Sequence, residues 1–190
     1  PEMWEAFFGD TGGVACEAPA PFGWRDSESW LRSVAEAAGC EAAFEQHWPP
    51  WSRPLAERLG ALRREANGLR AGLVVEPTET DRLVDPGRCY GVRLLPLLLD
   101  FGFDVCVLMR SPAREEDVDV EAAEAGLCEE LPAEDQGRLT VRRFVDAQGL
   151  DAALQDADLR LVYSEVACDA RLARLGLTGF GLDGLELGLA

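Results

Sequence analysis

Three loops hold the side chains with the best prospects for chemistry. "EPTETDR" (Glu76 to Arg82) offers Thr78, Glu79 and Asp81; "RSPAREE" (Arg110 to Glu116) mixes arginines with carboxylates; "SEVACD" (Ser164 to Asp169) carries Ser164, Glu165, Val166, Cys168 and Asp169, with Arg171 just beyond. Hydroxyls and carboxylates of this kind hold polar ligands or move protons, and an arginine fork can clamp a carboxylate. Arg171, on an expected helix beside a strand end, has the best case for that clamp. The plainer reading of the acidic residues is that they cap helices and solvate loops.

His47 is the one histidine, and it lies in "EQHWPPW". Among prolines and tryptophans it reads as a packed structural residue rather than a metal ligand or a proton donor. Six cysteines (Cys16, Cys40, Cys89, Cys106, Cys128 and Cys168) form no C-x-x-C pair, which points to free thiols in a reducing compartment. Cys106, inside "DVCVLM", reads as core; Cys89 and Cys168 fall near expected helix starts, where a dipole favours thiolate. An iron–sulfur site needs several thiolates converging, and the spacing does not supply them.

Several chemistries fail on the residues alone. No G-x-G-x-x-G follows the first strand, so a dinucleotide has no glycine cradle. With no Lys anywhere, no phosphate-binding G-x-x-x-x-G-K-[ST] can exist. A corrinoid module needs a histidine after its first strand, and His47 lies ahead of the sheet. A serine hydrolase needs a G-x-S-x-G elbow, which is missing. All 18 basic residues are Arg against 35 acidic ones, giving a net charge of -17. A nucleic-acid partner is therefore not expected, because phosphate neutralisation needs a concentrated basic face. The longest apolar run, "LLPLLLDFGF", is too short to span a bilayer and carries Asp100, so no membrane segment is expected. "PEMWEAFFGD" lacks the build of a signal peptide, and a cytoplasmic protein is expected. Pro1 and the closing "GLELGLA" read as cut ends of a longer protein.

The elements that position the loops follow from periodicity. A helix is expected from Ser27 to Ala38, capped by Asp26 or Ser27 and ended by Gly39. "HWPPW" reads as a stiff aromatic connector. A second helix follows, with Ser52 as cap, Pro54 in the first turn, and a stripe of Leu55, Leu59, Leu62, Ala66 and Leu69. "AGLVVEP" is a buried strand, and "DPGRCYGVRLLPLLLDFG" a helix kinked at Pro96. "FDVCVLMR", "GRLTVRRFVD", "DLRLVYSE" and "LTGFGLD" read as further strands, separated by an acidic helix or irregular link and by the helices "AQGLDAALQDA" and "DARLARLG". Strand and helix in alternation make an α/β fold: a Rossmann-like parallel sheet with helices on both faces and a helical N-terminal segment. Residues 1–70 form that segment, packed on the sheet domain of residues 71–190. Such sheets bind ligands at the carboxyl ends of their strands, near the reversal of strand order, which is where the three loops fall.

The order of these pieces resembles the middle domain of the nitrogenase component 1-type oxidoreductase family. The likeness runs through the turn and helix "CEAPAPFGWRDSESWLRSVAEAAG", the helix "PLAERLGALRREANGLRAG" leading into "LVVEP", then "YGVRLLPLLLDFGFDVCVLM" and "LDAALQDADLRLVYSEVACDARLARLGLTGFG". It implies a multidomain subunit of a nitrogenase-like reductase or a cofactor-assembly scaffold, with an iron–sulfur or iron–molybdenum-type cluster, or a tetrapyrrole, held between domains. The implied partners are the other domains of the same subunit, a homologous partner subunit and an iron–sulfur ATPase reductase. By resemblance the pocket wall maps onto Ser164, Glu165 and Val166. The departures are equally definite. The family's cluster cysteines belong to a first domain upstream of this segment; Cys16 is too close to the "PFG" turn to be the cofactor ligand, and His47 is in the wrong segment. No cofactor is firmly bound by this segment on that reading, no metal ligand is assigned, and the segment alone is expected to be inactive. A rival reading is a non-catalytic small-molecule or protein binding module; a further one is the nucleotide-sugar half of a transferase.

Overall fold

The computed structural model describes Ala18 and residues 20–86, 92–111, 120–163 and 170–180. The chain divides into two units, Pro1–Gly60 and Ala61–Ala190.

The first unit is a helical hairpin. Helix α1 (Gly23–Ala37) starts four residues earlier than the capping pattern predicts, and no side chain caps it. Ser27 Oγ donates instead to the Pro21 carbonyl at 3.0 Å, and Asp26 is buried. Its end follows the expected pattern. Gly39 takes φ +64°, while Gly39 N bonds Glu36 O at 3.0 Å and Cys40 N bonds Ala35 O at 2.8 Å. That reciprocal pair closes a helix with a left-handed residue, which only glycine takes without strain.

Helix α2 spans Glu41–Ala66 and corrects the connector reading: "HWPPWSRP" is helix, with Pro49, Pro50 and Pro54 inside it. A proline in a helix interior loses a hydrogen bond and crowds the preceding turn. Here the surrounding aromatics offset that cost. Trp48 packs against Phe44, Trp24 and Trp51, with ring centroids 5.8, 5.7 and 5.4 Å away. Ser52, expected as a cap, is buried in mid-helix and donates to Pro49 O at 3.4 Å.

The second unit is a five-stranded parallel sheet. Its strands are β1 (Arg70–Val75), β2 (Asp104–Arg110), β3 (Leu139–Phe144), β4 (Leu159–Tyr163) and β5 (Thr178–Phe180). They lie in the order β3-β2-β1-β4-β5, and every pair is parallel. Side chains alternate along each strand. One face carries Leu73, Val75, Val107 and Met109, covered by α3 (Leu94–Asp100) and α4 (Val120–Glu129). The other carries Cys106, Leu108 and Val162, covered by α6 (Ala147–Asp156) and α7 (Ala170–Arg174). A short helix α5 (Ala133–Gln136) leads into β3. Cover on both faces is why β1 and β2 read as unbroken apolar runs. Asp146 caps α6, its Oδ1 accepting from Gly149 N at 2.8 Å.

Helix α3 corrects the kinked-helix expectation. It begins only at Leu94, so Pro96 falls in its first turn, where a missing N–H costs nothing. All seven residues, "LLPLLLD", are buried, and a buried helix end needs partners for its last carbonyls. Each of the four has one. Leu97 O accepts from Phe101 N at 3.0 Å, Leu98 O from Phe103 N at 3.2 Å and Leu99 O from Gly102 N at 3.0 Å. Arg138 Nη1 adds a bond to Leu99 O at 2.9 Å, and Arg63 Nε reaches Asp100 O at 2.6 Å. Two arginines therefore grip the negative end of the helix dipole.

Candidate functional site at the strand-order reversal

Strand order reverses between β1 and β4: from β1 the chain first adds β2 and β3 on one side, then returns to add β4 and β5 on the other. Loops that leave the carboxyl ends of neighbouring strands at such a reversal turn in opposite directions and open a crevice. The β1 loop, with Thr78 and Glu79, leaves one side of that reversal, and the end of β4 at Tyr163 stands on the other. Arg110 and Ser111, which open the "RSPAREE" stretch, stand at the end of β2, one strand farther out.

The β1 side is built by a 3-10 turn, Pro77–Leu83, opening on Pro77 with its fixed φ. Glu79 N bonds Glu76 O at 2.9 Å, and Thr80 Oγ1 donates to Pro77 O at 3.1 Å. These bonds leave Thr78 exposed at the rim and Glu79 half-buried. Glu79 pairs with Arg82 at 3.1 Å. Glu76, at the end of β1, pairs with Arg110, at the end of β2, also at 3.1 Å. Sequence reasoning did not see this second pair. Its signal is the register, which sets Val75 beside Met109 and so brings the next residue of each strand alongside. On the β4 side Tyr163 is buried and packs against Phe180, ring centroids 5.7 Å apart.

Ser164, Glu165 and Val166 lie outside the described residues, as do Cys16, Cys89 and Cys168. Arg171 is described, on α7. Its Nε lies 3.0 Å from Asp151 Oδ1 on α6, an ion pair within the second face. That oxygen is closed off from solvent and the approach is not aligned as a hydrogen bond. The guanidinium expected to clamp a ligand carboxylate is thus set against one from its own chain. His47 lies in α2, lining a groove of the hairpin. Cys40 is exposed, Cys128 half-buried and Cys106 fully buried, all three as free thiols. Burial pushes the Cys106 thiol up, against the opposing pull of Arg142 and Arg70.

Among the described residues no three His, Cys, Asp or Glu side chains converge on a point where a metal ion could be held. What the described part of the rim offers is hydroxyl, carboxylate and guanidinium groups, which suits hydrogen bonding to a polar ligand rather than ligation of iron. No described helix is long and apolar enough to cross a membrane. Set against family models, curated proteins and solved structures, the chain matches none.

Proposed function

We propose that this chain is the Rossmann-like domain of a nitrogenase component 1-like oxidoreductase or cofactor-assembly scaffold subunit. In it, the crevice between β1 and β4 forms part of the wall of a metallocluster or tetrapyrrole pocket. The observation that carries this reading is the position of the reversal. It falls between the two strands whose loops hold Thr78 and Glu79 on one side and Ser164 to Val166 on the other. The residues would act as a wall, through hydroxyl, carboxylate and backbone groups, with the cluster ligands supplied from elsewhere in the subunit. The test is iron content and visible absorption of the full-length parent purified without oxygen. A coloured, iron-bearing protein is expected; a colourless, iron-free one overturns the proposal.

A second reading is a non-catalytic module for a small polar metabolite. The described rim favours it, because charged and hydroxyl groups are present there without a ligating cluster. It predicts stabilisation of the chain by a polar metabolite in a thermal-shift screen, lost in Thr78→Trp, which fills the mouth of the crevice.

A further inference from the structure

The helical hairpin holds a groove of about 630 Å³, lined by Leu31, Phe44, His47, Trp48, Pro50 and Trp51. That volume is in the range of small-molecule sites. Among the described residues its walls carry four aromatic rings and no carboxylate, hydroxyl, ammonium or guanidinium group. Trp51 is 64% exposed, an unusual position for an indole on a surface.

The hairpin already holds one cation on these rings. The Arg32 guanidinium lies over Phe44, 4.9 Å from the ring centroid, and is held there by ion pairs to Glu28 and Glu45. A cation over an aromatic face is attracted by the ring quadrupole, and indole is the strongest of the three rings. Trp48 and Trp51 present such rings to the groove. A net charge of -17 draws cations to the molecule as a whole.

We propose that this groove binds a quaternary ammonium group of a small organic cation. The choice of class follows from the lining. A primary ammonium has three N–H donors and a guanidinium five, and the described lining side chains offer no anionic acceptor for them. A trimethylammonium group has no donor to satisfy. Its methyl groups bury against indole and proline while its charge faces the rings.

The test is a titration of the full chain with choline, followed by calorimetry and by the position of the choline N-methyl proton resonance. Saturable binding is expected, with the resonance moving upfield as the methyls enter the ring currents. Dimethylbutanol, the neutral carbon isostere of choline, and ethanolamine, its primary amine, should each bind roughly fivefold or more weakly. Trp51→Leu should lose affinity by a similar factor and Trp51→Phe should keep part of it, while circular dichroism of both stays that of the parent, because each keeps an apolar side chain against Trp48. Equal affinity for the isostere would make the groove merely apolar and overturn the proposal. Equal affinity for ethanolamine, undiminished binding by Trp51→Leu, or no binding of choline would each overturn it as well.

Discussion

At the N-terminal rim of the sheet, Arg63 and Arg138 reach over the end of α3 and finish on buried groups. At the C-terminal rim, Arg110 and Arg82 reach carboxylates that water also reaches. Asp100 and Asp135, the acidic partners of the first pair, have side chains only 3% and 4% exposed. Glu76 and Glu79, the partners of the second, are 46% and 31% exposed. Arg138 also bonds the Phe103 carbonyl at 2.5 Å and lies 3.5 Å from Asp104. Arg70 ties the start of β1 to the Ala157 carbonyl at 3.1 Å. The same residue type thus does two jobs. Below, it neutralises buried acid and fills helix carbonyls, so its loss takes a partner from groups out of reach of water. Above, it forms exposed pairs worth about 0–1 kcal/mol. A sheet pinned along one edge can keep its other edge polar, solvated and open to ligands.

The sharpest way to break this contrast is at Gly102, beside the lower rim. Its φ is +100°, and a Cβ there would stand 2.8 Å from the Arg63 Cα, a backbone atom with nowhere to go. Gly102→Ala should cost about 3 kcal/mol, seen as a lower urea midpoint at unchanged m-value. Arg63→Met comes next. It takes the guanidinium from a carboxylate that is almost fully buried, for a loss of about 2–3 kcal/mol; a loss under about 0.5 kcal/mol would make the rims equivalent. Arg110→Ala, at the upper rim, should move stability by no more than about 0.5 kcal/mol. A drop of several times that would mean the Glu76 pair is structural and the rim is not spare.

Cys106 supplies the smallest effect and a pH test. Its folded thiol is raised by burial, so the folded state holds the proton more tightly than the unfolded chain does. The stability this gives is complete below the ordinary thiol range and declines as pH rises above it. Cys106→Ala should flatten that alkaline decline. In the native fold a thiol reagent should modify exposed Cys40 and spare Cys106; rapid modification of Cys106 would show that the second face opens.

The sheet was legible because its signals are local. Apolar runs such as "GLVV" and "VCVLM" leave few alternatives, and Gly39 marks a helix end by its freedom to take a left-handed backbone. The helix through "HWPPW" was not legible, since proline there argues against helix until one knows which rings surround Trp48. Pro96 misled in the other direction, because a kink depends on where a helix begins, and α3 begins late. Of the site, the rule about strand ends named three loops, and strand order, which the sequence does not display, is what distinguishes β1 and β4 from β2. The partner of Arg171 could not be read. It lies on a different helix, and nothing in the sequence near residue 171 announces Asp151.

The central position of β1 has a consequence for how the molecule is made. As the chain leaves the ribosome, β1 meets β2 and then β3 by short steps, while β4 must cross back over that finished half to take the opposite side of β1. Closing the longer loop carries the greater entropic cost, so this seam is expected to zip last. The crevice does not exist until it has done so. A ligand lodged there would recognise only the completed molecule and would hold its late half in place, so occupancy of the cleft and survival of the newly made chain would rise and fall together.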